Sequence, residues 1–337
     1  MKIEKSAALL VMVALAFGAA PTHAVDGVIE INAATAAAGG FAGGFIDTPG
    51  FPVSISVPGS YRLTGNLIVT EIGTNAVVIN SSDVTLDLNG FTIMGTGGAL
   101  GSATGIRSSQ ANVRIQNGTV SDFTNAGIDL GGDFAMVDNV RSIGNSGIGI
   151  AVDDDAVVSN CISSENGSTG ISAQFASTIR DSIATGNGVS GIFCANRCII
   201  ARNAVAQSGT VGIESNNGSK VSDNNVSLSG GNGISVNDGA LVTGNSSRDN
   251  GGDGIQVHDG CTVSGNTSSV NGGHGVCAFS GNTILGNTLA GNTGRGIDAL
   301  SSCGYGMNVM YDNDGGTVSA AAAEIGVNLC NGLNACP

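Results

Sequence analysis

Residues 233–253 read GISVNDGALVTGNSSRDNGGD, and this stretch indicates the fold. Ile234 and Val236 alternate with polar neighbours, which is typical of a β-strand with one apolar face. Asp238 and Gly239 then form a turn, because glycine accepts a positive φ and aspartate hydrogen-bonds within its own turn. A second short strand and a pair of glycines complete the stretch. It therefore predicts one coil of a parallel β-helix.

The same pattern returns along most of the chain, marked by a glycine that is followed by isoleucine or, once, by valine. The intervals between marks are 22, 20 and 23 residues and then 21 residues six times. This period predicts an all-β fold, a single-stranded right-handed parallel β-helix (solenoid) from about Tyr61 to Cys303. The marks are Gly105, Gly127, Gly147, Gly170, Gly191, Gly212, Gly233, Gly254, Gly275 and Gly296.

Asparagines also recur at this period, and we expect them to stack inside the coils as two rows. Stacked side-chain amides can bond to one another and so satisfy polar groups that turn inward at the bends. The first row is Asn203, Asn224, Asn245, Asn266 and Asn287, to which Asn139 and Asn160 are assigned. The second row is Asn145, Asn166, Asn187, Asn250, Asn271 and Asn292, with Ser208 and Ser229 in its gap.

The start of the chain has the pattern of an export signal. Lys2 and Lys5 precede an apolar run at residues 7–17, and small residues follow as far as Ala24. This predicts a secretory signal peptide at residues 1–24 and a secreted or periplasmic protein. No later stretch approaches the roughly 20 apolar residues of a membrane-spanning helix, so no transmembrane segment is expected.

The composition limits the choice of partner. The chain has 26 Asp and Glu against 12 Lys and Arg, and its net charge is −14. Such an acidic surface argues against nucleic acid as a partner. The sequence leaves the oligomeric state open.

Two segments outside the repeat are expected to cap the open ends of the solenoid, where strand edges and apolar core are exposed. Residues 25–60 form the predicted N-terminal cap, with Asn32 as the N-cap of a short helix at Ala33–Ala38. Residues 304–337 form the predicted C-terminal cap.

Eight cysteines in an exported chain permit disulfides. The local spacing favours pairing of Cys194 with Cys198 and of Cys330 with Cys336.

Three stretches carry a resemblance to known proteins: PGSYRLTGNL at 58–67, VTLDLNGFTI at 84–93 and GYGMNVMYDNDGGTVS at 304–319. With the repeated glycine marks, they resemble exported bacterial proteins with right-handed parallel β-helix repeats, in the pectate-lyase-like superfamily. The resemblance implies contact with polysaccharide outside the cytoplasm, as a binder or as a lyase-like or hydrolase-like enzyme. The alternative that it leaves open is a structural or adhesive surface protein without catalytic activity.

One candidate catalytic column follows from the period. Asp253, His274 and Arg295 are 21 residues apart and should stack in that order. Gly273-His274-Gly275 resembles the Gly-His-Gly motif of polygalacturonases, which implies that Asp253 holds His274 protonated while Arg295 binds a sugar carboxylate. The alternative is an exposed turn of variable sequence.

A second candidate is the pair Asp238 and Asp259, which occupy equivalent positions on adjacent coils and could act as the two carboxylates of a glycosidase. Each is followed by glycine, so the alternative is that turn chemistry explains them without catalysis. His258 is expected to point outward beside Glu214 and Gln256, on a polar face suited to glycan contact.

The run Asp153, Asp154 and Asp155 is the candidate metal site, because a loop rich in oxygen ligands suits Ca²⁺. It falls in the 23-residue interval, which suggests two extra residues at this bend. The alternative is a solvated turn.

Overall fold

The computed structural model describes residues 27–39, 47–97, 101–332 and 336. The predicted signal peptide at residues 1–24 lies outside the described residues. No helix in the described part of the chain is long and apolar enough to cross a membrane.

The described residues form one short helix, α1 (Ala33–Ala38), and 37 short strands. The strands before the first regular coil are β1 (Ile29–Ile31), β2 (Val53–Ile55), β3 (Gly59–Leu63), β4 (Leu67–Ile68), β5 (Val77–Ile79), β6 (Val84–Asp87), β7 (Thr92–Met94), β8 (Ile106–Ser108) and β9 (Val113–Ser121). The central strands are β10 (Ile128–Leu130), β11 (Met136–Ile143), β12 (Ile150–Val152), β13 (Val157–Ser159), β14 (Ile162–Ser164), β15 (Ile171–Ala173), β16 (Thr178–Arg180), β17 (Ile183–Thr185), β18 (Ile192–Cys194), β19 (Ile199–Ala201), β20 (Ala204–Ala206), β21 (Ile213–Ser215), β22 (Lys220–Ser222), β23 (Asn225–Ser227), β24 (Ile234–Val236), β25 (Leu241–Thr243), β26 (Ser246–Arg248), β27 (Ile255–Val257), β28 (Thr262–Ser264) and β29 (Thr267–Ser269). The last strands are β30 (Val276–Ser280), β31 (Thr283–Leu285), β32 (Thr288–Ala290), β33 (Ile297–Ser301), β34 (Gly304–Gly306), β35 (Val309–Tyr311), β36 (Ala323–Glu324) and β37 (Leu329–Cys330).

Each regular coil contributes three strands, one to each face of the solenoid. The first face is a 12-stranded parallel sheet that runs from β2 to β33 and includes β24 and β27. The second and third faces belong to one 25-stranded sheet, and in the coil of residues 233–253 they contain β25 and β26 respectively. Partners such as Ile234 and Ile255 are 21 residues apart. The predicted all-β right-handed parallel solenoid is confirmed.

Parallel pairing also continues into the segments predicted as caps. At the N-terminal end β1 pairs with β3, and at the other end β37 pairs with β35. Helix α1 begins after Asn32, whose side chain accepts hydrogen bonds from the backbone N–H groups of Ala34 and Thr35, as expected of an N-cap. The buried side chain of Ala36 joins the helix to the apolar core.

The glycine marks are explained by close packing. At Gly233 an added Cβ would lie 2.6 Å from Asn250 Nδ2 and 2.7 Å from the carbonyl oxygen of Gly254, and it would also collide with Ser247 Oγ. The next residue, Ile234, is fully buried. Glycine therefore stands where the corner of one coil meets the next coil with no room for a side chain.

The register corrects one mark. Ile128 pairs with Ile150, and Ile150 pairs with Ile171, so the third mark is Gly149 and not Gly147. The sequence Gly147-Ile148-Gly149-Ile150 contains the Gly-Ile dipeptide twice, and the prediction from spacing alone took the first copy as the mark when it is the second.

The first asparagine row forms a continuous hydrogen-bonded ladder. From Asn203 to Asn287, each side-chain N–H₂ donates to the Oδ1 of the asparagine one coil later, at 3.0 Å. Asn308 and Asn328 continue the ladder. The same Oδ1 atoms also accept the backbone N–H of the asparagine one coil earlier, so two polar groups are satisfied at each step.

The assignment of Asn139 and Asn160 to this row was wrong. Both are exposed and have a positive φ, and Asp181 continues their column. The ladder instead extends backwards through Ser182 to Cys161, whose backbone N–H donates to Ser182 Oγ at 3.1 Å. The two columns are adjacent, so an offset of one residue separates a buried amide from a solvated one.

The second row is confirmed, including its gap. Asn145 donates to Asn166 and Asn250 donates to Asn271, at 2.9 and 3.0 Å. The buried hydroxyls of Ser208 and Ser229, between these segments, have no hydrogen-bond partner.

The disulfides are also as predicted, between Cys194 and Cys198 and between Cys330 and Cys336.

We predict that Asn245→Ala strongly destabilises the fold. Its Nδ2 donates to Asn266 Oδ1 and to the carbonyl of Val221, and its Oδ1 accepts two bonds from Asn224. Each buried group left unpaired should lower the free energy of unfolding by about 1–3 kcal/mol, as measured by chemical denaturation.

The matched control is Asn225→Ala, which removes an exposed asparagine from a neighbouring coil. Its effect should stay within about 0.5 kcal/mol. Equal losses in the two variants would contradict the ladder's role.

Candidate functional site at the corner of the first face

Two parallel rows of side chains line one edge of the first face. The corner row consists of the residues just before the glycine marks, and the outward row consists of the middle residues of the first-face strands. The corner row contains Ser190, Val211, Asn232, Asp253, His274 and Arg295. The outward row contains Phe193, Glu214, Ser235, Gln256, Cys277 and Asp298.

The two rows contact each other through residues 24 positions apart. Ser190 Oγ donates to Glu214 Oε2 at 3.0 Å, and Asn232 Nδ2 donates to Gln256 Oε1 at 2.9 Å. Further along, His274 Nε2 lies 3.6 Å from Asp298 Oδ2. These three corner side chains therefore lean towards the outward residue of the next coil.

Asp253, His274 and Arg295 stack in the predicted order, but their bonds differ from the prediction. The backbone N–H of His274 donates to Asp253 Oδ1 at 2.6 Å, and the backbone N–H of Arg295 donates to His274 Nδ1 at 2.9 Å. Each side chain thus caps a backbone group of the following coil. In this arrangement Nδ1 carries no proton, so the ring proton is on Nε2.

The carboxylate that faces the imidazole is Asp298, not Asp253 as the sequence suggested. Asp298 Oδ1 also accepts a hydrogen bond from Arg295 Nη1 at 3.2 Å, and 43% of the Arg295 side chain is exposed. The guanidinium expected to bind a sugar carboxylate therefore already has a carboxylate partner. Asp298 was missed because the polar face was followed only as far as Gln256, two coils earlier in the same row.

Cys277 lies between the carboxylates of Asp253 and Asp298 and is half-buried. Burial raises the pKa of its thiol to about 12, and the negative charges of Asp253 and Asp298 add to this effect, as does a hydrogen bond to Asp253. The thiol is therefore un-ionised at neutral pH and serves as a hydrogen-bond donor, not as a nucleophile.

We call Asp253, His274, Cys277, Arg295 and Asp298 the corner cluster. It combines two carboxylates, an imidazole and a guanidinium, which are the groups used in acid and base chemistry. The backbones of Asp253 and Asp298 are two coils apart, roughly 10 Å along the axis. An inverting glycosidase needs about 6.5–9.5 Å between its carboxyl groups, which is close to this spacing of the two coils.

The second candidate group lies at the opposite end of the same strands. The backbone N–H of Asp259 donates to Asp238 Oδ1 at 3.1 Å, and that of Ser280 donates to Asp259 Oδ1 at 3.0 Å. These exposed carboxylates cap the turns of neighbouring coils. His258 packs against Phe279, with ring centroids 4.6 Å apart. Strand β27 separates this group from the corner cluster.

The three aspartates of the candidate metal site lie in the turn after β12. The corrected register leaves a 21-residue interval here, so the two extra residues do not exist. Asp154 Oδ1 accepts the backbone N–H of Phe175 at 2.9 Å, and partial burial with the nearby charge of Asp154 raises the pKa of Asp153. The described residues contain no group of three His, Cys, Asp or Glu that could hold a metal ion. Calcium binding here stays a prediction.

Residues 54–198 and 192–314 match the family described as "Right handed beta helix region", and the chain belongs to that family. A search of curated proteins found no match.

Solved structures with the same fold include three named proteins. The A-module of the mannuronan C-5 epimerase AlgE6 of Azotobacter vinelandii has 16% identity and a TM-score of 0.65, with 79% of this chain and 91% of that chain covered. The Dettilon tailspike protein gp208 has 18% identity and a TM-score of 0.60, with 74% and 60% covered, so the match spans 60% of the tailspike chain. The periplasmic alginate epimerase AlgG has 14% identity and a TM-score of 0.56, with 76% and 77% covered. At these identities the likeness shows the fold.

We predict that Cys277 reacts slowly with iodoacetamide in the folded protein. At pH 8 a thiol with a pKa about three units above normal has roughly a thousandth of the usual thiolate. Asp253→Asn should lower the pKa and speed alkylation several-fold, as measured by peptide mass spectrometry. Cys277→Ser is the control for reaction elsewhere, and alkylation as fast as that of free cysteine would contradict this account of Cys277.

Proposed function

We propose that this protein contacts polysaccharide outside the cytoplasm, as a binder or as a carbohydrate-active enzyme of the lyase or hydrolase type. The observation that carries the proposal is the corner cluster, where ionisable side chains from consecutive coils meet at a partly exposed edge. The rows beside it add amide and hydroxyl groups, which suit the hydroxyls of sugars.

The solved structures support a polysaccharide partner. Two of the three are named as epimerases of mannuronan or alginate, both polysaccharides, and they share the solenoid over most of this chain. A fold hosts many functions, so the proposal rests on the site together with this likeness.

As an enzyme, the cluster would divide the roles in a definite way. Asp298 is held by Arg295 and faces His274 Nε2, so it is placed to accept a proton. Arg295 is exposed enough to turn towards a substrate oxygen and stabilise developing charge. Asp253 holds the backbone of His274 by accepting its N–H, and Cys277 hydrogen-bonds to Asp253.

A specific observation also favours a structural or adhesive surface protein. Asp253 and His274 use a side-chain acceptor to cap the next coil, as Asp238 and Asp259 do in an ordinary turn. Under this alternative the cluster holds the coils together and no chemistry takes place there.

We predict that His274→Asn and Asp298→Asn weaken glycan binding or turnover at least about tenfold, which corresponds to about 1.4 kcal/mol. Asparagine at 274 keeps the cap on the next coil, as Asn232 does for Asp253, but removes the imidazole. A glycan array and a panel of acidic and neutral polysaccharides, assayed for reducing ends and unsaturated uronates, measure both outcomes.

The control is His258→Asn at the other end of the strands, which should behave as wild type. Absence of binding and turnover across the whole panel would favour the structural alternative. Equal losses in the 258 and 274 variants would place the contact elsewhere on the first face.

A further inference from the structure

We infer that the polysaccharide that binds this corner is uncharged and not a polyuronate. This inference rests on the proposed function and specifies its substrate class. As an enzyme the protein would then be a hydrolase, because a lyase eliminates beside a sugar carboxylate. It follows from the charges along the first face, from their pairing and from the acidity of the same corner near the N-terminal end.

The first face and its corner carry more negative than positive groups. The carboxylates along the outward row and the corner row are Asp129, Glu214, Asp253 and Asp298. The guanidiniums in the same described stretches belong to Arg107 and Arg295.

Both of these guanidiniums are already paired with a carboxylate. Arg107 Nε lies 3.8 Å from Asp129 Oδ2, and Arg295 Nη1 lies 3.2 Å from Asp298 Oδ1. A sugar carboxylate would have to compete with these internal carboxylates for either cation. Glu214 and Asp253 instead accept hydrogen bonds from neutral donors, namely Ser190 Oγ and the backbone N–H of His274.

Basic side chains lie on the other faces of the solenoid. The excess of carboxylates on the first face therefore does not simply reflect the acidic composition of the whole chain. Arg180 and Lys220 project from the second face, and Arg248 projects from the third. Arg202, at the turn between these two faces, forms an ion pair with Asp181. These four cations therefore face away from the corner.

The same corner is also acidic in the first coils. A cavity of about 360 Å³ opens there between the loops that follow β4 and β7. The described residues that line it include Glu71, Asp122 and several threonines, and none of them is Lys or Arg. Hydroxyl groups can bond to such a lining, whereas a carboxylate would meet only like charge.

Simple electrostatics decides between the two classes of polysaccharide. A uronate on the corner would lie within one coil, roughly 5 Å, of a protein carboxylate. The Debye length is about 8 Å at 0.15 M salt, so this repulsion is only partly screened. Sugar hydroxyls donate to carboxylate and amide oxygens without that penalty. The charge pattern thus favours uncharged chains.

The test uses matched polymers that differ in charge alone: polygalacturonate and mannuronan, each beside its carboxyl-reduced form. We expect the reduced forms to bind the wild-type protein at least about tenfold more tightly at about 0.01 M salt, where the Debye length is about 30 Å. The difference should shrink at about 1 M salt, where that length is about 3 Å. Binding is measured by affinity electrophoresis or calorimetry.

A charge variant locates the effect. Glu214→Gln should narrow the difference between acidic and reduced polymers several-fold, because it removes one charge from the outward row. Asp223→Asn removes the same charge at an exposed turn remote from the first face, and asparagine accepts its positive φ, so it should leave the difference unchanged.

The outcomes separate this inference from the proposed function. Tighter binding of the acidic polymers would overturn the charge inference and leave polysaccharide contact standing. An equal effect of the two variants would overturn the assignment of selectivity to the first face. Binding to no polymer in either form, and to nothing on the glycan array, would contradict the proposed function itself.

Discussion

The buried asparagine amide that bonds from one coil to the next is the interaction on which the rest of the structure depends. A solenoid corner turns backbone polar groups inward, and a buried group without a partner is costly. In each ladder the Oδ1 of one asparagine accepts both a backbone N–H and a side-chain N–H₂ from the coil before. This arrangement places the bonded asparagines 21 residues apart in the central coils.

The ladders also position the candidate site. They fix the register of the coils, so residues 21 apart stack and residues 24 apart lean together at the corner. The corner cluster is thus assembled by the same stacking of neighbouring coils that repeats along the solenoid. What distinguishes it is the side chains that it contains, because the corner positions of the three preceding coils hold serine, valine and asparagine.

Sequence periodicity predicts the coils, both ladders and the local disulfides, since each depends on spacing alone. It is less reliable where the spacing is ambiguous. Gly147 and Gly149 carry the same dipeptide, and Asn160 lies one residue away from the ladder position at Cys161. In both cases only the strand register decides which residue is buried.

The hydrogen bonds and chemical roles of the candidate site could not be predicted from residue spacing alone. The column of Asp253, His274 and Arg295 follows from the period, but the direction of its hydrogen bonds depends on which backbone N–H groups face the corner. Asp298 belongs to a different row, and its contact with His274 crosses from one coil to the next. The chemical roles in the cluster therefore required the three-dimensional arrangement.

Hydrogen exchange of asparagine side-chain amides, followed by NMR on selectively labelled protein, tests the central claim most directly. If the ladder joins the coils, the Nδ2 protons of Asn224, Asn245 and Asn266 should exchange only through large-scale opening of the solenoid. The side-chain amide of Asn225, the exposed residue that follows Asn224, should exchange freely. Rapid exchange of the ladder amides, at the rate of Asn225, would contradict the account.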